Sequence, residues 1–323
     1  MGTNYAGVAD GAPPDSRSPT RWHSQSWHDR SRTLNTRHRR GIIVGDIHGE
    51  LGGLTEILLH AGVTDRREHW TGGGSILVQT GDVIDRGPDS RAAVSLLRHL
   101  QQEAVAFRGA VVRCCGNHEL MLLQGNYRHA DFSDPHALAQ EFRQEIAQGF
   151  LQAAYTDGAR LYTHAGLRSI VRQTLVEEIR TAHPSRTGRP VGLKPLADHI
   201  NTIFKKAVNH DSIRSRDHCI FWVEPTRGGR DTVGGIFWCD YTSIVPSEWA
   251  WDVPQVFGHT PARESTLRHA HGLKLINVDA GMFELYGGHR VYLEITADDT
   301  LVQHSKDGGR WSRKELRGAG VSG

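Results

Sequence analysis

Short apolar runs alternate with amphipathic stretches along the chain from residue 41 onwards. Ile42, Ile43 and Val44 form an uninterrupted apolar run between glycines, which is typical of a buried strand. Residues 51–63 then carry apolar side chains at helical spacing, with a glycine stop near their end, and predict a crossover helix.

The same pattern recurs further along the chain. An apolar run at 75–78 predicts a second strand, and residues 110–115 predict a third. Between them, residues 89–104 predict an amphipathic helix that Asp89 or Ser90 caps. Successive strand–helix units of this kind indicate an α/β layered fold.

Polar residues follow each of these predicted strands directly. A solvated turn would explain one such strand end, but the repetition indicates a common site, because ligand sites in α/β sheets lie beyond the carboxyl ends of the strands. Two further predicted strands, within 159–167 and 254–262, also end in histidine. The strand-end residues are Asp46, His48, Asp82, Asp85, Arg86, Asn117, His118, Glu119, His164 and His259.

The residue types at these strand ends indicate a metal site. Asp, His and Asn suit first-row divalent ions, and no cysteine accompanies them, which argues against a structural zinc site. Six of the residues are enough for two metals that share one bridging carboxylate. This candidate ligand set is Asp46, His48, Asp82, Asn117, His164 and His259.

Composition narrows the class of protein. The chain has 323 residues, 38% hydrophobic and 23% charged, which allows one large domain with insertions or two modest ones. A formal net charge of +2 gives no strong argument for nucleic acid, so a nucleic-acid partner is not favoured. No apolar run reaches the roughly 18–20 residues of a membrane span, and no signal-peptide core is present, so we expect a cytoplasmic protein. The four cysteines are expected to be free, buried thiols.

Three segments differ from the strand–helix pattern. Residues 1–40 are rich in Pro, Ser, Arg and His, and we interpret them as a disordered basic arm, either a solvated leader or a tether for an anionic partner. An insertion at about 168–250 contains helical patterns and a glycine-punctuated loop, and it predicts a helical cap that selects substrates or a stabilising elaboration. Residues 301–323 are set apart as a C-terminal tail.

Five short motifs resemble a known family when they are taken together and in order. GDIHG, GDVIDRG, GNHE, THAG and GHTP resemble the signature of the calcineurin-like metallophosphoesterases, specifically the phosphoprotein phosphatase family. Residues 116–128 and 278–295 further resemble the Shewanella-like bacterial phosphatases. The resemblance spans about 41–296 and implies a β-sandwich flanked by helices, with a cap insertion and a catalytic domain over 41–300.

The resemblance also implies a role for each motif residue. Two divalent ions would be bound, with Mn expected to serve best in vitro and Fe or Zn as alternatives, and a metal-bridging hydroxide would attack the phosphorus directly. His118 would be the general acid, Asp85 would orient it, and Arg86 and Asn117 would bind the phosphate. The implied ligands are Asp46, His48 and Asp82 for the first ion, and Asp82, Asn117, His164 and His259 for the second.

One family feature is missing from its expected place. Family members usually carry a second phosphate-binding arginine in the segment between the last two histidine motifs, and here Cys239 follows Trp238 in that segment. Arg227 or Arg230 would replace it, or Arg86 and the metals would suffice.

Three functions are compatible with these motifs. The favoured one is a phosphomonoester hydrolase that acts on phosphotyrosine, phosphoserine or phosphothreonine in proteins, or on a small phosphomonoester. The second is a hydrolase of dinucleoside polyphosphates or nucleic-acid ends, whose relatives tend to carry GNHD where this chain has Glu119. The third is a catalytically silent binding module, which the complete ligand and acid sets disfavour.

Overall fold

A seven-stranded mixed sheet contains the first three predicted strands. The computed structural model describes residues 39–130, 132–184, 188–242 and 248–317. The strand order is β12-β11-β10-β1-β2-β3-β4, with β1 to β4 parallel to one another and β10 to β12 antiparallel. The strands are β1 Gly41–Val44, β2 Ile76–Gln79, β3 Ala110–Cys114, β4 Leu151–Gln152, β10 Arg290–Ile295, β11 Leu301–Asp307 and β12 Arg310–Glu315.

A second sheet contains the strands that end in the two later histidine motifs. Its order is β5-β6-β7-β9-β8. Strands β6, β7 and β9 are parallel, and β5 and β8 pair antiparallel at the edges. The strands are β5 Ala154–Thr156, β6 Leu161–Thr163, β7 Gln255–Phe257, β8 Arg268–Ala270 and β9 Leu275–Asn277.

Helices cover the first sheet on the side away from the second sheet. The predicted helices at 51–63 and 89–104 are present, and the residues after the third strand begin a short helix directly. The helices are α1 Leu51–His60, α2 Ser90–Ala106, α3 Asn117–Leu123, α4 Pro135–Gln148, α5 Ser169–Ala182 and α6 Leu193–Asn209.

The alternation of side chains along β1 joins these layers. Ile42 and Val44 pack into the apolar core shared with the helices, whereas Ile43 packs into the core shared with the second sheet. Because successive side chains of a strand point to opposite faces, one short apolar run contributes to both cores. The architecture is therefore two sheets packed together with helices outside, which confirms the predicted α/β sandwich.

The insertion at 168–250 differs from a separate helical cap. Helices α5 and α6 pack into the same apolar core as β1 and α2, and Asn201 of α6 bonds the backbone of β5 and the residue before it. The irregular part, 219–241, borders the strand-end residues, with Arg227 bonded to Thr260 and Trp238 beside His259. Amphipathic periodicity locates such helices, but it does not say which surface they cover.

The segment set apart as a C-terminal tail is part of the first sheet. Residues 301–307 and 310–315 form β11 and β12, and Leu301 and Val302 are buried. The tail interpretation is therefore wrong for these residues. Their strand pattern is weak in the sequence because polar residues, Gln303, His304 and Ser305, are buried on both faces.

The predicted arm, 1–40, lies outside the described residues except for its last two. Arg40 forms an ion pair with Glu294 at 2.5 Å and donates to the Ala61 carbonyl at 2.8 Å, and Arg39 donates to the Gly74 carbonyl. These two arginines therefore belong to the folded part. Within the described part of the chain, no helix is both long and apolar enough to span a membrane. All four cysteines are free and buried, as predicted.

Candidate metal centre and active site

The five polar strand ends converge at one place. Asp46 and His48 follow β1, Asp82 follows β2, and His164 and His259 follow β6 and β7 of the second sheet. Asn117 and His118 begin α3, immediately after β3. All of these residues are buried, none more than 6% exposed. The structure therefore brings together every residue of the candidate ligand set.

Unusual backbone conformations place several of these side chains. His48, Asp82 and His259 have positive φ angles of 49°, 56° and 72°, which is the left-handed region that side chains other than glycine rarely adopt. Such residues cost on the order of 1–3 kcal/mol each and cluster at functional sites. Here backbone bonds hold two of the loops together, because the amides of Ile47 and His48 both donate to the Asp82 carbonyl at 2.9 Å.

The Glu119 carboxylate fixes the second and third strand ends relative to each other. It accepts hydrogen bonds from the backbone amides of Asp82, Val83 and Gly116 at 2.8–2.9 Å. The bond from the Gly116 amide to Glu119 is one half of a capping box at the start of α3, and Gly116 has no side chain to form the other half. Sequence reasoning counted Glu119 among the strand-end residues and used it to separate functional alternatives, but it missed this structural role, for which an acidic residue three positions after a helix cap is the signal.

Two glycines of the motifs are required because the carboxylates of candidate metal ligands lie directly against their Cα atoms. A Cβ atom on Gly116 would lie 2.1 Å from Asp82 Oδ1, and one on Gly258 would lie 2.2 Å from Asp46 Oδ1. No other residue fits at either position while the carboxylates keep these places. The glycines of GNHE and GHTP therefore allow the acids to lie against the neighbouring strand ends.

The first donor cluster contains Asp46, His48 and Asp82. His48 Nδ1 donates to the Ile84 carbonyl at 3.2 Å, so the lone pair of Nε2 points towards Asp46 Oδ2, 4.0 Å away, and Asp82 Oδ2, 3.7 Å away. Burial, with the positive charges of His118 and Arg86, holds the pKa of His48 well below its ordinary value. A neutral imidazole beside two carboxylates is a suitable donor set for a divalent ion.

The second donor cluster lies on the other side of Asp82. His164 Nδ1 donates to the Thr80 carbonyl at 3.0 Å, so the lone pair of its Nε2 faces Asn117 Oδ1 at 2.8 Å, His259 Nδ1 at 3.1 Å and Asp82 Oδ2 at 3.5 Å. Because His164 Nδ1 holds the proton, His164 Nε2 and Asn117 Oδ1 face each other as two acceptors, and a cation bound by both would remove their repulsion. This arrangement fits a second divalent ion, with Asp82 common to both clusters. Donor atoms of His48, Asp82 and His118 also lie within 4.8 Å of one another, as do those of Asp82, His164 and His259.

Buried negative charge is concentrated around these donors. Burial and repulsion from Asp279 and Asp82 raise the pKa of Asp46 well above its ordinary value. Burial, with repulsion from Asp82, raises the pKa of Glu119, and burial raises the pKa of Asp279 to about 7. Such a group of acids is costly unless cations neutralise it. The electrostatics therefore favour cation binding at the same place as the donor geometry.

His118 lies beside the donor clusters but has other partners. Its Nδ1 donates to Asp85 Oδ2 at 2.7 Å, and its Nε2 accepts a bond from Arg86 Nη2 at 3.1 Å. Burial alone would lower the pKa of His118, but the carboxylates of Asp82 and Asp85 outweigh burial and the net shift is upward. The three residues expected to act on the substrate are thus in direct contact with one another.

Two further residues surround the exposed Arg86. The guanidinium carbons of Arg86 and Arg263 each lie 5.2 Å from the centre of the Tyr286 ring, and this ring also contacts His48 edge-on. Sequence reasoning missed Tyr286 and Arg263 as site residues. For Tyr286 the only signal was the resemblance of the segment 278–295, which does not say which of its side chains faces the site, and Arg263 lies outside that segment.

The two candidate replacements for the missing arginine are placed differently. Arg227 donates to Thr260 Oγ1 at 3.2 Å and pairs with Asp240 at 3.0 Å, next to His259. Burial, His164 and Arg227 together hold the pKa of His259 well below its ordinary value. Arg230 is exposed on the same loop. Trp238 lies with its ring centre 6.0 Å from that of His259.

Comparisons with known proteins identify relatives of this chain. An uncharacterized protein of Schizosaccharomyces pombe is 28% identical over 80% of this chain and 77% of its own length. The Shewanella-like protein phosphatase 2 of Arabidopsis thaliana is 38% identical, but over 28% of this chain and 23% of its own length. The crystal structure of a cold-active protein-tyrosine phosphatase from a psychrophilic Shewanella has a TM-score of 0.61 and 21% identity, covering 86% of this chain and 80% of that one. It supports the fold alone.

The family itself is established over the greater part of the chain. The profile of the calcineurin-like phosphoesterases matches residues 40–263, more than half of the chain, and this range includes every residue of both donor clusters. The chain therefore belongs to the calcineurin-like phosphoesterase family and is, by that membership, a hydrolase of phosphate esters.

Proposed function

We propose that this protein is a metal-dependent protein phosphatase, acting in the cytoplasm on phosphotyrosine, phosphoserine or phosphothreonine side chains. The observation that carries the proposal is the pair of donor clusters sharing Asp82, with His118, Asp85 and Arg86 beside them. The name of the Arabidopsis relative, a Shewanella-like protein phosphatase, supports the choice of substrate.

The ligand assignment follows the two donor clusters. Asp46, His48 and Asp82 would hold one ion, and Asp82, Asn117, His164 and His259 would hold the other, with Mn²⁺ the ion expected to serve best in vitro because mixed oxygen and nitrogen sites accept it. When bound, such a pair supplies a nucleophile at neutral pH and stabilises both ends of an in-line displacement at phosphorus. The bonds from His48 to Ile84 and from His164 to Thr80 orient the imidazoles for this role.

His118 would protonate the departing oxygen. The Asp85 carboxylate holds Nδ1 as a donor, which leaves Nε2 to carry the transferable proton once Arg86 turns from it to a phosphate oxygen. Asp85 also stabilises the positive charge of the imidazolium. His118 thus acts as general acid and Asp85 as its positioning residue.

Phosphate would be bound by two guanidinium groups and one amide. Arg86 is exposed beside His118, and Asn117 contributes from the second cluster. Of the two alternatives for the second arginine, Arg227 is favoured over Arg230 because its guanidinium reaches Thr260, directly after the ligand His259. A guanidinium matches the geometry of phosphate oxygens better than an ammonium group.

The proposal is tested by a panel of substrates measured with Mn²⁺ present. We expect turnover of phosphotyrosine, phosphoserine and phosphothreonine peptides to exceed that of a dinucleoside tetraphosphate and of a bis-aryl phosphodiester. Preference for the dinucleoside substrate would contradict the protein-phosphatase assignment while leaving the metal site intact. Full activity after exhaustive chelation would contradict the metal site itself.

A further inference from the structure

A second type of metal-ligand cluster lies on α2 and the loop before β2. His69, His99 and Glu103 bring one donor atom each within 4.8 Å of one another. His69 Nδ1 lies 2.8 Å and His99 Nε2 lies 3.3 Å from the same oxygen, Glu103 Oε1. His99 and Glu103 are four residues apart on one helix, so they lie on the same face.

The polypeptide holds these three side chains in place by other contacts. Glu103 Oε2 accepts a bond from the Trp70 amide at 2.7 Å, which turns Oε1 towards the imidazoles. The Asp65 carboxylate accepts bonds from the amides of Arg67 and His69, at 2.8 and 3.0 Å, and so fixes the loop that carries His69. An indole at the base of the loop, Trp70, is buried. The donors therefore come from two elements that are each anchored.

The spacing of the donors fits a tetrahedral ion. Zn²⁺ bonds imidazole nitrogen and carboxylate oxygen at about 2.0–2.2 Å, so ligand atoms on one tetrahedron are roughly 3.4 Å apart. The two distances to Glu103 Oε1, 2.8 and 3.3 Å, are close to that edge. The imidazoles of His69 and His99 are about half exposed, at 55% and 45%, so they are free to rotate into ligand positions. Solvent can then supply a fourth ligand.

We propose that His69, His99 and Glu103 form a third divalent-metal site, of the kind that takes Zn²⁺, which ties the loop 64–70 to α2. It is separate from the catalytic pair. The start of α2 touches the active-site loop, since Ser90 Oγ accepts from the Asp85 amide at 2.9 Å, whereas His99 and Glu103 lie about 14–20 Å further along the helix.

The test measures zinc bound per chain. The full-length protein and its His99→Ala and Glu103→Gln variants are stripped of metal and dialysed against buffered Zn²⁺, and bound metal is counted by mass spectrometry. Wild type should bind one equivalent more than either variant. Removing a direct ligand should weaken that equivalent by more than the roughly 10–100-fold that outer partners of a metal typically cost. His183→Ala, at an exposed histidine directly after the end of α5, is the control and should bind as wild type does.

Stability gives a second readout that does not depend on activity. Zn²⁺ should raise the melting temperature of wild type further than that of His99→Ala, while both proteins keep normal turnover with Mn²⁺. Equal zinc content in wild type and both variants would overturn the proposal, and so would an equivalent lost from the His183→Ala control as well. Loss of Mn²⁺-dependent turnover in His99→Ala would show that the cluster is not separate from the catalytic site.

Discussion

At the scale of single residues, Asp82 is the one on which both donor clusters depend. It is 2% exposed, its carbonyl receives two amides from the first strand end, and its carboxylate Oδ1 receives the amide of His118 at 2.9 Å. Oδ2 is then left to face His48, His118 and His164, at 3.5–4.0 Å. One oxygen thus organises the peptide backbone and the other faces the histidines of both clusters.

Asp82→Asn should therefore reduce the content of both metals, and turnover should fall more than with any other single ligand change. The physical reason is that the substitution removes the only charge shared by the two clusters while keeping the size of the side chain. Metal content and kcat are measured together. Asp89→Asn, at an exposed position whose side chain makes no capping bond, is the control and should behave as wild type. Normal metal content and turnover in Asp82→Asn would rule out the bridging role.

His118→Asn should keep both metals and lose roughly 10²–10⁴-fold in turnover, the usual contribution of general acid–base catalysis. The loss should be largest on phosphoserine peptide, smaller on phosphotyrosine peptide and smallest on nitrophenyl phosphate, because an alkoxide needs the proton most. Asp85→Asn should show the same order more mildly. Comparing kcat/KM on the three substrates, with metal content alongside, decides this. Equal losses on all three would mean that His118 is a structural residue or a ligand.

Arg227→Ala should raise KM for phosphopeptides and weaken inhibition by inorganic phosphate, because it removes a guanidinium beside His259. Arg230→Ala is the matched control from the same loop, and it should leave both quantities unchanged. The two variants are compared on one peptide at fixed Mn²⁺. If Arg230→Ala gives the larger effect, the assignment of the second phosphate-binding arginine is reversed.

At the scale of elements, the sequence predicted the strands and helices that have a clear local pattern of apolar residues. The runs Ile42-Ile43-Val44 and Ile76-Leu77-Val78 are apolar without interruption because these strands are buried on both faces, and such runs are readable. The contacts of Tyr286 with Arg86 and Arg263 depend on how distant loops meet, and no local pattern encodes that. Strand β11 was missed because polar residues occupy several of its buried positions, and β12 was missed because it is a mostly exposed edge strand with polar residues at nearly every position.

The pairing of β11 and β12 with the first sheet predicts that a chain without them is unstable. Ending the chain after Thr300 should give a protein that is insoluble or much less stable, because it removes the stacking of Trp311 on His60 at 3.9 Å and uncovers the edge of β10. Removing only residues 318–323 is the control and should leave the melting temperature unchanged. Trp311→Ala should lower stability in the same direction by a smaller amount. A soluble 1–300 protein with wild-type melting temperature would restore the tail interpretation.

At the scale of the whole molecule, the buried carboxylates at the centre of the fold destabilise it, and bound cations would remove that destabilisation. Asp46, Asp82, Glu119 and Asp279 are buried where the strand ends of two sheets converge, and burial raises the pKa of Asp279 to about 7. A carboxyl group whose folded pKa is raised contributes stability at low pH and loses it as the pH rises through that value. The buried histidines with lowered pKa values work in the opposite direction, but only below their ordinary value of about 6.5.

Chelation should therefore lower the melting temperature, and more so at pH 8 than at pH 6.5, because in that interval Asp279 ionises while the lowered histidines are already neutral. An ion present at 100 times its Kd adds about 2.7 kcal/mol to the free energy of unfolding. Each kcal/mol of that free energy raises the melting temperature by about 2–4 °C in a domain of this general size. A drop of at least about 5 °C is expected, and Mn²⁺ should reverse it. Calorimetry of stripped and reloaded protein at both pH values measures the effect, with Asp82→Asn as a variant in which added Mn²⁺ should restore much less. If the stripped wild-type protein melts at the same temperature as the loaded one, the protein's own groups neutralise the buried acids. The donor clusters are then not a metal site.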